Sequence, residues 1–451
     1  MVRSFFALRG SGAKWEGKVH MASALAPTAS LPADLKAEAV ALFERLAAQS
    51  ADGVGITRES YGEGETLAMK TVAETALACG LEVATDAAAN MTITLPGIEA
   101  GAPAVACGSH LDSVPRGGNY DGAAGVVAGL MALMRAKREG VAPRRPLKLF
   151  ILRGEESAWF GRAYMGSSAL FGALDPKDLG LKHRDSGRPL RDYMAAAGAD
   201  VEAVAAGTAM IAAADLACFF ELHIEQGPVM VARAVPVGLV TGIRGNIRHP
   251  AVICRGEAAH AGAVPRWLRH DAVFAFADLV ERLDQHWVSL LEQGEDLVIT
   301  MGIVGTDPAE HAMSRVPGEI HFSLEYRSQS SDMLRFFGGI VAEEMLNVGR
   351  SRGVSFELGQ ALPTAPARTH PALVDHLAAV CGEAAIPYER LPSGAGHDAA
   401  VFANAGIPTA MIFVRNEHGS HNPHEAMAYD DFFLGAEALY RAMLTAPEAL
   451  P

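Results

Sequence analysis

The sequence predicts an α/β fold in which a mostly parallel sheet is interrupted by an inserted α+β domain. Three observations lead there. In the first and last parts of the chain, four short apolar runs alternate with helical segments, the pattern of a parallel sheet covered by crossover helices. Between about residues 242 and 358 the texture changes to strands with solvated polar faces, separated by two long amphipathic segments. Each of the four apolar runs is followed within a few residues by His, Asp or Glu.

Taken in order, residues 1–30 read as a loosely ordered tail. Their apolar piece, Phe5-Phe6-Ala7-Leu8, is too short for a signal-peptide core, and Met21 offers a second start. From Ala33 a helix is expected, because Leu35, Val40, Phe43, Leu46 and Ala47 recur at helical spacing. A second helix, 66–79, ends at Gly80, which suits a left-handed cap. Strands follow at 104–107, 147–152, 217–222 and 409–414, with an apolar helix at 123–137 and a closing helix at 432–443. Within the insertion, 252–254, 297–301 and 320–326 read as strands, and 271–292 and 332–350 as helices. The expected organisation is a main domain over 31–241 and 361–451, with the insertion over 242–360.

Composition narrows the function. Half of the 451 residues are hydrophobic, enough for a sizeable core rather than a disordered chain. Acidic residues number 52 against 38 basic ones, a net charge of −14, so a nucleic-acid partner is not expected. No apolar run approaches the ~18 residues of a membrane helix. The five cysteines, Cys79, Cys107, Cys218, Cys254 and Cys381, never fall at CxxC spacing. They fit a reduced, cytoplasmic protein better than a disulfide framework. The 16 histidines are what composition leaves unexplained.

Ligands of open α/β sheets bind beyond the carboxyl ends of the strands, so the polar clusters there are expected to converge. They are Gly108-Ser109-His110-Leu111-Asp112 with Asn119-Tyr120-Asp121-Gly122, then Gly154-Glu155-Glu156, Glu221-Leu222-His223 with Gln226, and Ser420-His421. Imidazole and carboxylate suit zinc and its neighbours, and no cysteine is offered. Asp112, two residues after His110, can accept a hydrogen bond from the ring nitrogen that a metal leaves free. Asp121 can bridge two cations with its two oxygens. Glu155 and Glu156 cannot face the same way on extended backbone, so one can bind metal while the other stays free as a base. Taken singly, each has an ordinary explanation: a loop histidine bonded to backbone, a solvated glutamate pair, a glycine turn. Four strand ends bearing such residues together make a metal site the stronger reading.

The blocks GSHLDSVPRGGNYDGAAGV, RGEES, ELHIEQGPV, AAHAGAVP, SGAGHDA and GSHNPHE, in this order, closely resemble those of the dinuclear-metal amidohydrolases. That group comprises N-carbamoyl-L-amino-acid hydrolases, allantoate amidohydrolases and β-ureidopropionases, within the aminoacylase and carboxypeptidase superfamily. The resemblance runs from about Leu31 to the C-terminus. It implies two divalent ions per subunit, zinc first and manganese, cobalt or nickel as alternatives. His110 and His223 would bind one, Glu156 and His421 the other, with Asp121 bridging and Glu155 as general base. His260 would stabilise the developing oxyanion, Arg327 would hold a substrate carboxylate, and Gln226 would contact substrate. His397 and Asp398 would shape the wall of the site or form a buried hydrogen bond.

The resemblance thus implies hydrolysis of a C–N bond in an N-carbamoyl or related N-acyl amino acid, a small anionic substrate bearing a carboxylate. An allantoate-type ureide or an N-acyl amino acid or dipeptide are the alternatives. A non-catalytic ligand-binding homologue is disfavoured by the intact His/Asp/Glu set. The insertion would serve as lid and dimerisation surface of a cytoplasmic homodimer. Two departures are expected to mark the substrate-facing shell: Ser314 stands where the family carries asparagine, and Trp159 where it carries arginine. Pro423-His424-Glu425 also departs mildly.

Overall fold

A computed structural model describes residues 31–448; the tail read over 1–30 lies outside the described residues. Helices α1 (Ala33–Ser50) and α2 (Glu63–Ala78) precede strands β1 (Glu82–Thr85), β2 (Met91–Leu95) and β3 (Ala104–His110). Helix α3 (Ala123–Arg138) then leads to β4 (Leu147–Leu152), and β5 (Leu216–Ile224) and β6 (Val237–Ile243) follow. These strands form one nine-stranded sheet with Ala367–Arg368, Tyr388–Ser393 and Thr409–Val414. Its centre, β4-β3-β5 and Thr409–Val414, is parallel; antiparallel β2 and β1 extend one side, and β6 the other.

The central strands are covered on both faces, which is why they are mainly apolar along their length. Every residue of β3 and of Thr409–Val414 is buried. On one face α3 lies against the sheet with α1, the helix Pro371–Glu383 and the helix Tyr429–Leu444. Phe219, Phe150, Met411 and Phe402 build the core on the other. Strands β3 and β5 run farther than the sequence suggests. His110 is the last residue of β3 and His223 the last but one of β5, so both imidazoles are carried on rigid strand backbone.

A second sheet of six antiparallel strands is built from residues 245–364. Glu319–Ser328 pairs with Gly245–Arg255 at its centre, with a bulge between Phe322 and Leu324. Two helices pack on it: Ala272–Glu292, capped by Asp271 accepting from Val273 and Phe274, and Ser331–Arg352, capped by Ser330. They enclose a separate core of Val252, Leu279, Leu283, Phe322, Leu324, Phe337 and Val341. The chain enters this sheet from β6 through Arg244 and leaves it between Thr364 and Ala367. Among the described residues no helix is long and apolar enough to cross a membrane.

Candidate metal centre

Parallel strands end on the same side of their sheet, so β3, β4, β5 and Thr409–Val414 deliver their polar successors to one place. His110 Nε2 lies 3.5 Å from His223 Nε2, and Asp121 Oδ1 stands 3.5 and 3.3 Å from the two. The other oxygen of Asp121 is 3.6 Å from His421 Nε2, which is 3.2 Å from Glu156 Oε1. Among the described residues three groups of three could hold an ion: His110/Asp121/His223 and Asp121/Glu156/His421, joined through the two oxygens of Asp121, and Glu221/His223/His397, which shares only His223 with them.

These residues fit a pair of divalent ions. His223 Nδ1 faces the Ile224 carbonyl at 2.9 Å, and His110 Nδ1 faces the Asp112 carbonyl and carboxylate at 3.0 and 3.3 Å. With those protons committed, the Nε2 lone pairs converge on the Asp121 carboxylate. Ligands ~2.0–2.1 Å from a tetrahedral zinc stand ~3.4 Å from one another, close to the spacing seen here. An all-nitrogen and oxygen donor set also suits manganese, cobalt and nickel.

The electrostatics agree. Burial pushes Asp121 up, but its hydrogen-bonding contacts with His110 and His223 hold it well below the usual carboxylate range. Burial lowers the two imidazoles, and Asp121, with Asp112 at His110, more than reverses it. His421 is lifted to about 9, chiefly by its contact with Glu156. The buried carboxylates thus draw positive charge into the cluster, which a divalent cation supplies.

Glu155 stands beside the cluster, its Oε2 3.9 Å from His110 Nε2, and burial pushes its carboxyl well above the usual range. Asp112 does more than orient His110. Its two oxygens accept the backbone N–H groups of Glu155 and Glu156 at 3.2 and 3.1 Å and the Ser60 hydroxyl at 2.6 Å. One carboxylate therefore ties the end of β3 to the glutamate pair. Gly122 closes the ring: its N–H donates to His223 Nε2 at 3.2 Å, and a Cβ there would lie 2.5 Å from the His110 ring.

The remaining sites read from sequence divide. Gln226, in a left-handed conformation, donates from Nε2 to Asp121 Oδ2 at 2.7 Å, so it sits on the shared carboxylate. His397 is buried behind His223, with ring centroids 4.5 Å apart, and bonds Ser393 Oγ at 2.8 Å. Asp398 is buried too, accepts the Ser167 hydroxyl at 2.5 Å, and is raised to about 7 by burial. His397 also forms a potential ligand group with Glu221 and His223, whereas Asp398 is in none. His260, Ser314 and Arg327 lie on the second sheet or its loops and in none of the ligand groups. His260 is exposed and accepts from Gly262 and Ala263, and the Ser314 carbonyl accepts from Ala261. Arg327 contacts Glu325 at 3.0 Å and the Gly394 carbonyl at 2.9 Å, so it reaches the SGAGHDA segment from the second sheet. Trp159 is not on an open substrate-facing surface. It is buried, donates to the Ser113 carbonyl at 2.7 Å and stacks on His183.

Several residues of this region were not singled out in the sequence. Arg58 is fully buried, bonds the Leu111 carbonyl and Asn119, and is drawn down to about 10 by burial. Glu221 accepts from Ser109 and the Ala399 N–H behind His223. Glu65 accepts from Tyr61 and Gly154 and pairs with Arg153. Ser420 and Glu425 join the Asp121 and His421 loops. Glu221, Ser420 and Glu425 carried a signal only as members of the ELHIEQGPV and GSHNPHE blocks; Arg58 and Glu65 carried none.

Comparison with known proteins adds the family. The family model "Peptidase family M20/M25/M40" matches residues 106–445. An N-carbamoyl-L-amino-acid amidohydrolase of Paenarthrobacter aurescens is 32% identical over 395 residues, 87% of this chain and 94% of that protein. The allantoate amidohydrolase of Escherichia coli K12 is 31% identical over 386 residues, 85% of this chain and 91% of that protein. The crystal structure of a hydantoinase/carbamoylase-family amidase from Burkholderia multivorans superposes with a TM-score of 0.83 at 26% identity. That match covers 93% of this chain and 98% of the other.

Proposed function

The chain belongs to the peptidase family M20/M25/M40 and is a hydrolase of non-peptide C–N bonds, and from that premise we propose that it cleaves the ureido C–N bond of an N-carbamoyl-L-amino acid. The observation that carries the reading is the pair of ligand groups sharing Asp121, with the buried Glu155 beside them. Two divalent ions held by His110, His223, Asp121, Glu156 and His421, zinc first among the candidates, would polarise the scissile carbonyl and acidify a water. Glu155, with its affinity for protons raised by burial, takes the proton of that water and passes it to the leaving nitrogen. His260 donates to the carbonyl oxygen as negative charge develops there. Arg327 exchanges Glu325 and the Gly394 carbonyl for the substrate carboxylate, which its planar fork matches. Gln226 hands its hydrogen bond from Asp121 to substrate. The residues of the second sheet then act as a lid and as the contact surface of a cytoplasmic homodimer, over the domain limits read from the sequence.

A second reading, an allantoate-type ureide, is supported by the nearly equal identity to the allantoate enzyme, 31% against 32%. Steady-state assays of the metal-loaded protein on N-carbamoyl-L-amino acids, allantoate and N-acetyl amino acids separate the readings. Ammonia release accompanies only the ureido substrates. Preference for an N-acetyl amino acid would overturn both.

A further inference from the structure

We infer that Glu425 is a positioning residue that locks the loop carrying His421 onto the loop carrying Asp121, and thereby sets the affinity of the Asp121/Glu156/His421 group for its ion. This rests on the metal-centre reading above. The Glu425 side chain is buried, and its Oε1 accepts both the Tyr120 N–H at 2.8 Å and the Asp121 N–H at 3.2 Å. Its Oε2 meets the Ser420 hydroxyl at 2.7 Å, and that hydroxyl also contacts Asp121 Oδ2. A Cβ at Gly118 would stand 2.1 Å from the Glu425 carboxyl carbon. The Gly118–Asp121 backbone therefore wraps the carboxylate, with no room for a side chain at Gly118.

The two ligand groups need this lock unequally. His110 and His223 are buried at the ends of sheet strands. His421 is about half exposed (52%) and sits on a loop in which His418, Gly419 and His421 all have φ between 61° and 66°. Two histidines in the left-handed region are costly for side chains with a Cβ, so the loop must be held from outside. Asn416 and Asn422 bond its carbonyls, and among the described residues Glu425 is what joins it to the backbone of Asp121. Shell residues of this kind typically set metal affinity by about 10–100-fold.

Both backbone bonds fall on one oxygen, so glutamine can replace them while its amide donates to Ser420; alanine cannot. The test is calorimetric titration of the metal-stripped full chain with Zn²⁺ or Mn²⁺, with Co²⁺ absorption as a second readout. Wild type is expected to take two ions. E425A should keep one tight ion and bind the other about 10–100-fold more weakly, and E425Q should restore it. S420A should weaken the same ion. E425A binding both ions like wild type, or E425Q failing as E425A does, overturns the inference. Should E425A not fold by circular dichroism, S420A decides, and an unchanged second ion overturns it. Wild type taking fewer than two ions would instead sink the metal-centre reading.

Discussion

Adjacent carboxylates with separate surroundings divide labour at the residue scale. Glu156 is 3.2 Å from His421 and belongs to a ligand group, whereas Glu155 stands 3.9 Å from His110 Nε2 and belongs to none. On the mechanism proposed above, replacing Glu155 removes proton transfer, an effect of about 10²–10⁴ in rate, without removing a ligand. E155Q is thus expected to lose at least that much kcat and to keep wild-type metal content by elemental analysis. E156Q should lose ion as well as activity, and the reverse pattern would exchange the two roles. Gly122 makes a sharper case. Its φ of +65° and its approach to the His110 ring leave no place for a methyl group. G122A should lower the melting temperature, at a cost of roughly 1–3 kcal/mol in backbone strain alone, and should weaken the ion at His110 and His223 by titration.

Elements were legible in the sequence in proportion to how completely they are buried. Strands β3, β4 and Thr409–Val414 are almost wholly buried and read as mainly apolar runs, broken in β4 by the half-buried Lys148 and in β3 only at its polar end. Strand β1 forms the sheet edge and β2 lies next to it, both half-polar and partly exposed, and β6 contains Gly238, Thr241 and Gly242; none shows a strand pattern by itself. The ligands were visible because they stand at or just beyond strand ends and differ in kind from the apolar residues before them. Arg58, Glu65 and Glu425 act on partners 53 to 305 residues away, pairings that only the fold creates. Trp159 shows the opposite case, a motif departure whose meaning came from packing. Its indole N–H holds the Ser113 carbonyl at the end of the β3 loop. W159F leaves that buried carbonyl unpaired and should cost about 1–3 kcal/mol, measured as a lower unfolding midpoint, with metal content unchanged. A loss of metal would place Trp159 in the centre after all.

At the scale of the whole molecule, the two sheets enclose separate cores and meet through Arg244, residues 364–367 and side-chain contacts such as Arg327 to the Gly394 carbonyl. Among the described residues, every candidate ligand belongs to the nine-stranded sheet or to loops leaving it, and none to the second sheet. Around them the carboxyls of Glu155, Glu156, Glu221, Asp398 and Glu425 are all raised by burial, so stripping the ions leaves a buried excess of acid without its counter-charge. Bound ions stabilise the state that binds them by RT ln(1 + [L]/Kd), about 2.7 kcal/mol at a hundredfold excess over Kd. That stabilisation enters through one core only. Scanning calorimetry of the full chain should therefore show a transition that falls when a chelator removes the ions and recovers with added Zn²⁺ or Mn²⁺. R327A, with its side chain on the second sheet, should leave that transition and the metal content in place while raising KM for carboxylate-bearing substrates. A chelator-insensitive scan would remove the ions from the energetics of the fold, and an unchanged KM would remove Arg327 from the substrate.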